Sequence, residues 1–256
     1  MIRRERQNGC VIQKTKTLNS GVVMTKKTTL ASIGIGLALV SASPAIAAGP
    51  WTGIYLGGHA GGVWGDVDTT KTAETGGGFL YDAQLVGETL DFSPTGVLGG
   101  AQIGYLYQMS NLVFGIEVAG SLGDFDETLI DPNDDDNVRT INSDWNAAAT
   151  VRAGYAFGNS LVYVKGGYAM AEIESSLVDS DVPVGSYSTS ERHDGWTGGA
   201  GFEHMISSDV SLALEYNYYD LGAQDHVIAG GGATVTQEIE ATLQTVTARV
   251  NWHFNP

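Results

Sequence analysis

The chain has 256 residues, room for one barrel or one to two globular domains, with 35 glycines, 6 prolines and a single cysteine. Lys and Arg number 13 against 29 Asp and Glu; Arg3, Arg4, Arg6, Lys14, Lys16, Lys26, Lys27 and one acid, Glu5, precede Ala48, so the rest carries 6 bases against 28 acids, net −22. That acidity excludes nucleic acid as a partner, because phosphate binding needs Lys and Arg gathered on one face. Cys10 lies in the basic leader with no apolar run before it, which excludes lipid attachment, a disulfide in the mature chain and thiol chemistry.

The first predicted element is an export signal over residues 1–47. Lys26 and Lys27 precede an apolar run from Leu30 to Val40, followed by Ala45-Ile46-Ala47. This is a basic n-region, a short h-region and an A-x-A cleavage site. The run is too short for a membrane anchor, which needs about 20 apolar residues. Met24 alone would begin a conventional signal, so the segment before it reads as an extended n-region or an upstream mis-start.

From residue 48 to 256 the sequence predicts one domain built of paired strands. Trp51 to Gly65 places Ile54, Leu56 and Ala60 on one face. Thr95 to Gln108 alternates Val97, Ala101, Ile103, Tyr105 and Tyr107 against Gly100, Gln102, Gly104 and Gln108. Leu112 to Gly123, Asp144 to Phe157, Leu161 to Glu172, Asp194 to Ile206 and Val210 to Leu221 repeat the pattern. Ala241 to Phe254 closes it, with Val246, Ala248, Val250, Trp252 and Phe254 opposite Thr245, Thr247, Arg249, Asn251 and His253. A period of two with one apolar face is the signature of a β-strand.

Short turns are predicted at Ser110, Asn159 and Ser208, spaced 49 residues apart. The acidic segments Asp66 to Ser93, Asp124 to Ser143, Ile173 to His193 and Gly222 to Glu240 read as long loops. Eight strands with alternating short and long connections fit an all-β, up-and-down, antiparallel transmembrane barrel of the outer membrane, its short turns periplasmic and its loops extracellular. Backbone groups in lipid need partners on both sides, so the last strand must seal against the first. The tryptophans fit as interface aromatics: Trp51 and Trp252 at the periplasmic rim, Trp64, Trp145 and Trp196 at the outer rim.

A soluble barrel would also alternate, but its outer face would carry long polar groups. Here the polar face is mainly Gly, Ala, Ser and Thr, which suits the narrow inside of an eight-stranded barrel. Its ions balance: Glu117, Glu203 and Glu215 against Arg152, Lys165 and Arg249. Facing lipid, a Lys or Arg at the midplane costs about 2 to 4 kcal/mol, whereas inside they can pair as a structural network.

At Trp51-Thr-Gly-Ile-Tyr-Leu-Gly-Gly, Gly99-Gly-Ala-Gln-Ile-Gly-Tyr, Arg152-Ala-Gly-Tyr and Arg249-Val-Asn-Trp-His-Phe the chain resembles the alphaproteobacterial outer-membrane immunogenic protein and porin family, relatives of opacity proteins and the OmpA barrel. The resemblance covers Ala48 to Phe254. It implies an outer-membrane barrel with antigenic surface loops, set among lipid and lipopolysaccharide and inserted by the barrel-assembly machinery from a C-terminal aromatic signal, here Phe254. Asn255 and Pro256 follow that aromatic, where family members stop at it. With no room expected after the barrel for a peptidoglycan-binding domain, tethering to the wall is not implied. A monomer is expected.

Other chemistry finds little support. The glycines at 96–104 and 198–201 lie inside alternating strands with no following helix, so they make room for lumen side chains and do not form phosphate loops. Asp131-Pro-Asn-Asp-Asp-Asp-Asn137 resembles a calcium loop but has Asp136 and Asn142 where that loop requires Gly and Glu. It reads as a solvated acidic loop, with weak Mg²⁺ or Ca²⁺ bridging to lipopolysaccharide as the alternative. His193 and His226 fall in predicted loops, with Ser190 and Asp194 near the former; His204 and His253 fall near turns, and His59 on the lumen face. No enzyme, cofactor or metal is expected. The sequence thus points to a structural barrel for envelope integrity and loop presentation. Its alternatives are a narrow, low-conductance porin and a loop-borne adhesin or receptor.

Overall fold

The computed structural model describes residues 49–76, 84–131, 134–179, 185–230 and 233–254; the signal peptide and Cys10 lie outside the described residues. Among the described residues nine strands run in chain order: β1 Gly53–Gly76, β2 Thr89–Phe92, β3 Thr95–Met109, β4 Leu112–Asp131, β5 Asp134–Phe157, β6 Ser160–Asp179, β7 Gly185–Met205, β8 Val210–Gly230 and β9 Ala233–Phe254. Every neighbouring pair is antiparallel. β9 pairs back onto β1 from Ile54↔Phe254 to Gly76↔Ala233, which closes the sheet. β2 and β3 lie end to end along β1, so the closed wall is eight strands around. Pro94, which cannot donate to a ladder, sits at the break between them, its carbonyl accepting from Gly65 N–H at 3.0 Å.

The turns fall where expected. Ser110 (φ 56°) and Gly158 (φ 60°) take the left-handed conformation that tight reversals need, and Ile206 to Asp209 joins β7 to β8.

The acidic segments correct the expectation of long loops. Most of their residues continue the strands: β4 and β5 stay paired up to Asp131↔Asp134, β6 and β7 to Asp179↔Gly185, and β8 and β9 to Gly230↔Ala233. Along these extensions the alternation changes phase. In the lower half of β9, Val246, Val250 and Trp252 face out while Thr245, Thr247 and Arg249 face in. Higher up, Leu243, Ala241, Ile239 and Val235 are buried inside, and Glu238 and Glu240 are exposed outside. The apolar face therefore turns outward where it meets acyl chains and inward where it meets water. Inside the upper half, Phe92, Phe125, Ile141, Ile173, Leu221, Ile239 and Leu243 form one apolar cluster.

The upper wall is split along two seams. The β7–β8 ladder stops at Trp196↔Asp220, and β3 leaves β4 at Thr95↔Asp126. Above those points β2-β1-β9-β8 and β4-β5-β6-β7 form two four-stranded sheets. Gly222 (φ 63°) and a register shift between Asp220 and Ala223 mark the seam on β8.

Candidate functional site: the lumen network

Six inward side chains meet at mid-barrel because each occupies the inward parity of its own strand. They are the six ions singled out from the sequence. Glu117 Oε1 accepts from Lys165 Nζ at 3.0 Å, and its Oε2 from Arg249 Nη2 at 2.6 Å. Glu215 accepts from Lys165 Nζ at 2.7 Å and from Arg249 Nη1. Arg152 Nη2 donates to Glu203 Oε2 at 2.6 Å, and the Arg152 guanidinium lies 3.3 Å from the centroid of the Tyr163 ring. Side-chain exposure across these ion pairs is 5% or less. Charges so deeply buried persist only when paired and hydrogen-bonded, and these three anions and three cations sum to zero.

Sequence reading missed the neutral partners of this network. Tyr55 donates its hydroxyl to Glu117 at 2.5 Å, and Tyr163 donates to Glu215 at 2.7 Å. Glu203 also accepts from Ser211 at 2.5 Å and Asn251 at 2.7 Å. The signal was present as parity and as glycine. A Cβ on Gly104 would lie 2.5 Å from the Tyr55 ring, and one on Gly201 would lie 2.4 Å from Tyr163. The glycines leave room for those rings.

Above the network, His59 bridges Gln102 at 2.7 Å and Ser121 at 2.9 Å. A cavity with water-accessible space of about 20 Å³, room for about one water, adjoins His59, Lys165, Thr150 and Asn217. Below it, the lumen ends in an aromatic stopper: Trp51 stands edge-on to His253 with centroids 5.7 Å apart.

Trp51 is a correction. It is fully buried, so it plugs the periplasmic end and does not face the headgroups. The residue precedes β1, and its backbone N–H donates to Gln108 Oε1 at 3.1 Å, which turns the ring inward. Trp64, Trp196 and Trp252 are exposed on the outer face; Trp145 is half-buried, its indole N–H 3.3 Å from Glu172. Phe254 ends β9 on the outer face beside Ile54. His193 and His226 are a second correction: both are fully buried inside the upper barrel, with Nε2 atoms 2.9 Å apart. The calcium-like run falls partly at residues 132–133, which lie outside the described residues together with the surrounding side chains. Among the described residues, no group of three or more His, Cys, Asp or Glu could hold a metal.

A closed antiparallel wall with an apolar exterior, aromatic rims and an ionic interior defines a transmembrane β-barrel. The chain belongs to the outer membrane protein beta-barrel domain family, which matches residues 33–254, and its place is the outer membrane. It is similar to the 31 kDa outer-membrane immunogenic protein of Brucella melitensis biotype 1, at 28% identity over 215 residues, 80% of this chain and 84% of that protein. It is also similar to the 22 kDa outer membrane protein of Rhizobium leguminosarum bv. viciae, at 25% identity over 74% of this chain and 73% of the relative. Among solved structures, the outer membrane protease OmpT of Escherichia coli aligns at 9% identity over 82% of this chain and 99% of that one, with a TM-score of 0.49. OprG of Pseudomonas aeruginosa aligns at 14% identity over 79% and 97%, with a TM-score of 0.42.

Proposed function

We propose that this protein is a closed, non-enzymatic structural barrel that reinforces the outer membrane, stands among lipopolysaccharide as a monomer and holds an acidic, antigenic surface outside the cell. The observation that carries the reading is the neutral six-ion network across the lumen, with the Trp51–His253 stopper beneath it. An ion entering would have to displace buried pairs whose separation leaves charges uncompensated in a low dielectric. The immunogenic relatives support the surface-antigen part.

The test is single-channel recording on refolded protein in planar bilayers, with heat-modifiable gel migration to prove that the barrel has formed. The expected trace is flat. Steady, large currents would replace this reading with a porin.

A further inference from the structure

His193 on β7 and His226 on β8 approach each other where the wall has no ladder. The two strands stop pairing at Trp196↔Asp220, so the imidazoles meet across a seam whose backbones are not tied together. Both rings are fully buried. Their Nε2 atoms are 2.9 Å apart and their ring centroids 5.2 Å apart. That centroid separation equals the nitrogen–nitrogen distance plus one ring radius on each side, so the rings meet tip to tip. Each Nε2 points along the common axis at the other.

Two nitrogens aimed at one another along a line share whatever lies between them. A proton is one occupant, and it gives a single N–H···N hydrogen bond. A metal ion that prefers linear two-coordination is the other. Geometry selects the ion. A tetrahedral zinc site needs further protein ligands or an open water position, and no third His, Cys, Asp or Glu completes a group among the described residues. Square-planar Cu(II) or Ni(II) needs cis ligands near a right angle and more of them. A d¹⁰ monovalent ion needs only two nitrogens, at about 2 Å each and hence about 4 Å apart on one axis. Reaching that from the present contact requires about 1 Å of widening, between two strands that no ladder joins at this height.

We propose that His193 and His226 form a two-coordinate binding site for a soft monovalent d¹⁰ cation, Cu(I) or its analogue Ag(I), inserted between the two Nε2 atoms across the β7–β8 seam. The seam is also the entry path, outside the bilayer and above the Trp196 rim. Binding requires unprotonated Nε2 atoms, and the complete burial of both rings favours the uncharged imidazoles that supply them.

The experiment titrates refolded barrel in detergent at pH 7 with Ag(I) in chloride-free buffer by calorimetry, and with Cu(I) by competition against a chromogenic chelator under ascorbate. Wild type is expected to take up one equivalent, and His193→Gln and His226→Gln each to weaken it at least tenfold. Zn²⁺ is expected to bind far more weakly. X-ray absorption on the Ag(I)-loaded wild type should show two nitrogen neighbours and no sulfur; this measurement needs no variant to fold, and it separates the site from surface methionines such as Met109. Absence of a stoichiometric equivalent, uptake undiminished in both variants, a sulfur neighbour, or Zn²⁺ binding as tightly as Ag(I) would each overturn the proposal.

Discussion

At the scale of single residues, what matters in this lumen is who is left behind when a partner goes. Glu203 holds Arg152, Ser211 and Asn251 at once. Glu203→Ala strands a buried guanidinium and is expected to cost about 3 to 5 kcal/mol, read as the shift in urea unfolding of the refolded barrel. Glu203→Gln keeps an acceptor and should cost less. A cost under about 1 kcal/mol for the alanine variant would mean that water replaces the carboxylate and that the lumen is open. Gly201→Ala probes the same packing from its quiet side. Tyr163 is pinned between Glu215 and Arg152 and cannot retreat from a new Cβ, so about 1 to 3 kcal/mol of destabilisation is expected. Trp51 makes an optical prediction. With Trp51 the only tryptophan retained, brominated lipid should leave its fluorescence undimmed, while a barrel retaining only Trp252 or Trp196 should be quenched. Quenching of Trp51 would return it to the interface.

At the scale of elements, the β7–β8 seam should respond to acid. The buried His226 titrates near 4 instead of near 6.5, because burial and the neighbouring imidazole disfavour its charged form. The unfolded or opened state therefore binds protons first. The contribution of this pair to closure is complete above about pH 6.5 and is lost as pH falls from there towards 4. Amide exchange in the upper halves of β7 and β8 should quicken at least tenfold more between pH 7.5 and 5 than intrinsic chemistry predicts, while His226→Gln should reduce the excess and the double His193→Gln/His226→Gln variant should remove it. Exchange that ignores pH would show that other contacts hold the seam, such as Tyr187 against Ile228 and Val235. The seam also marks where the sequence ceased to be legible. Below it, every strand could be read from a fixed alternation, and parity alone brought six ions from six strands together in one cluster. Above it, the same strands exchange faces, with Ile239 and Leu243 inside and Glu238 and Glu240 outside. A run whose apolar side changes sign has little net periodicity, and its acids suggest a loop. His193 and His226 were misplaced for that reason alone.

At the scale of the whole molecule, the phase change fixes a height. On β9 the outward apolar face runs from Trp252 up to Gln244, the residue paired with Trp64. Those eight steps at about 3.3 Å, tilted by about 40°, give a band about 20 Å tall, close to the apolar girdle of outer-membrane barrels. The strand then continues from Gln244 to Ala233, and eleven further steps raise the wall by about 28 Å. More of β9 therefore stands in water than in lipid, and it stands there as paired strand with an apolar interior. Two consequences follow from one geometry. Folded protein should resist a Glu-specific protease at Glu127, Glu172, Glu174, Glu191, Glu238 and Glu240, because cleavage needs an extended, unpaired backbone and all six lie within strands. Atomic force or neutron reflectivity on a supported bilayer should find one face projecting by about 25 Å or more and the other nearly flush. A projection below about 10 Å, with rapid cutting at those glutamates, would mean that the acidic segments lie down on the membrane as loops. The β7–β8 seam and its histidine pair would then be gone, while the lumen network beneath, built on the lower halves of the same strands, would stand unchanged.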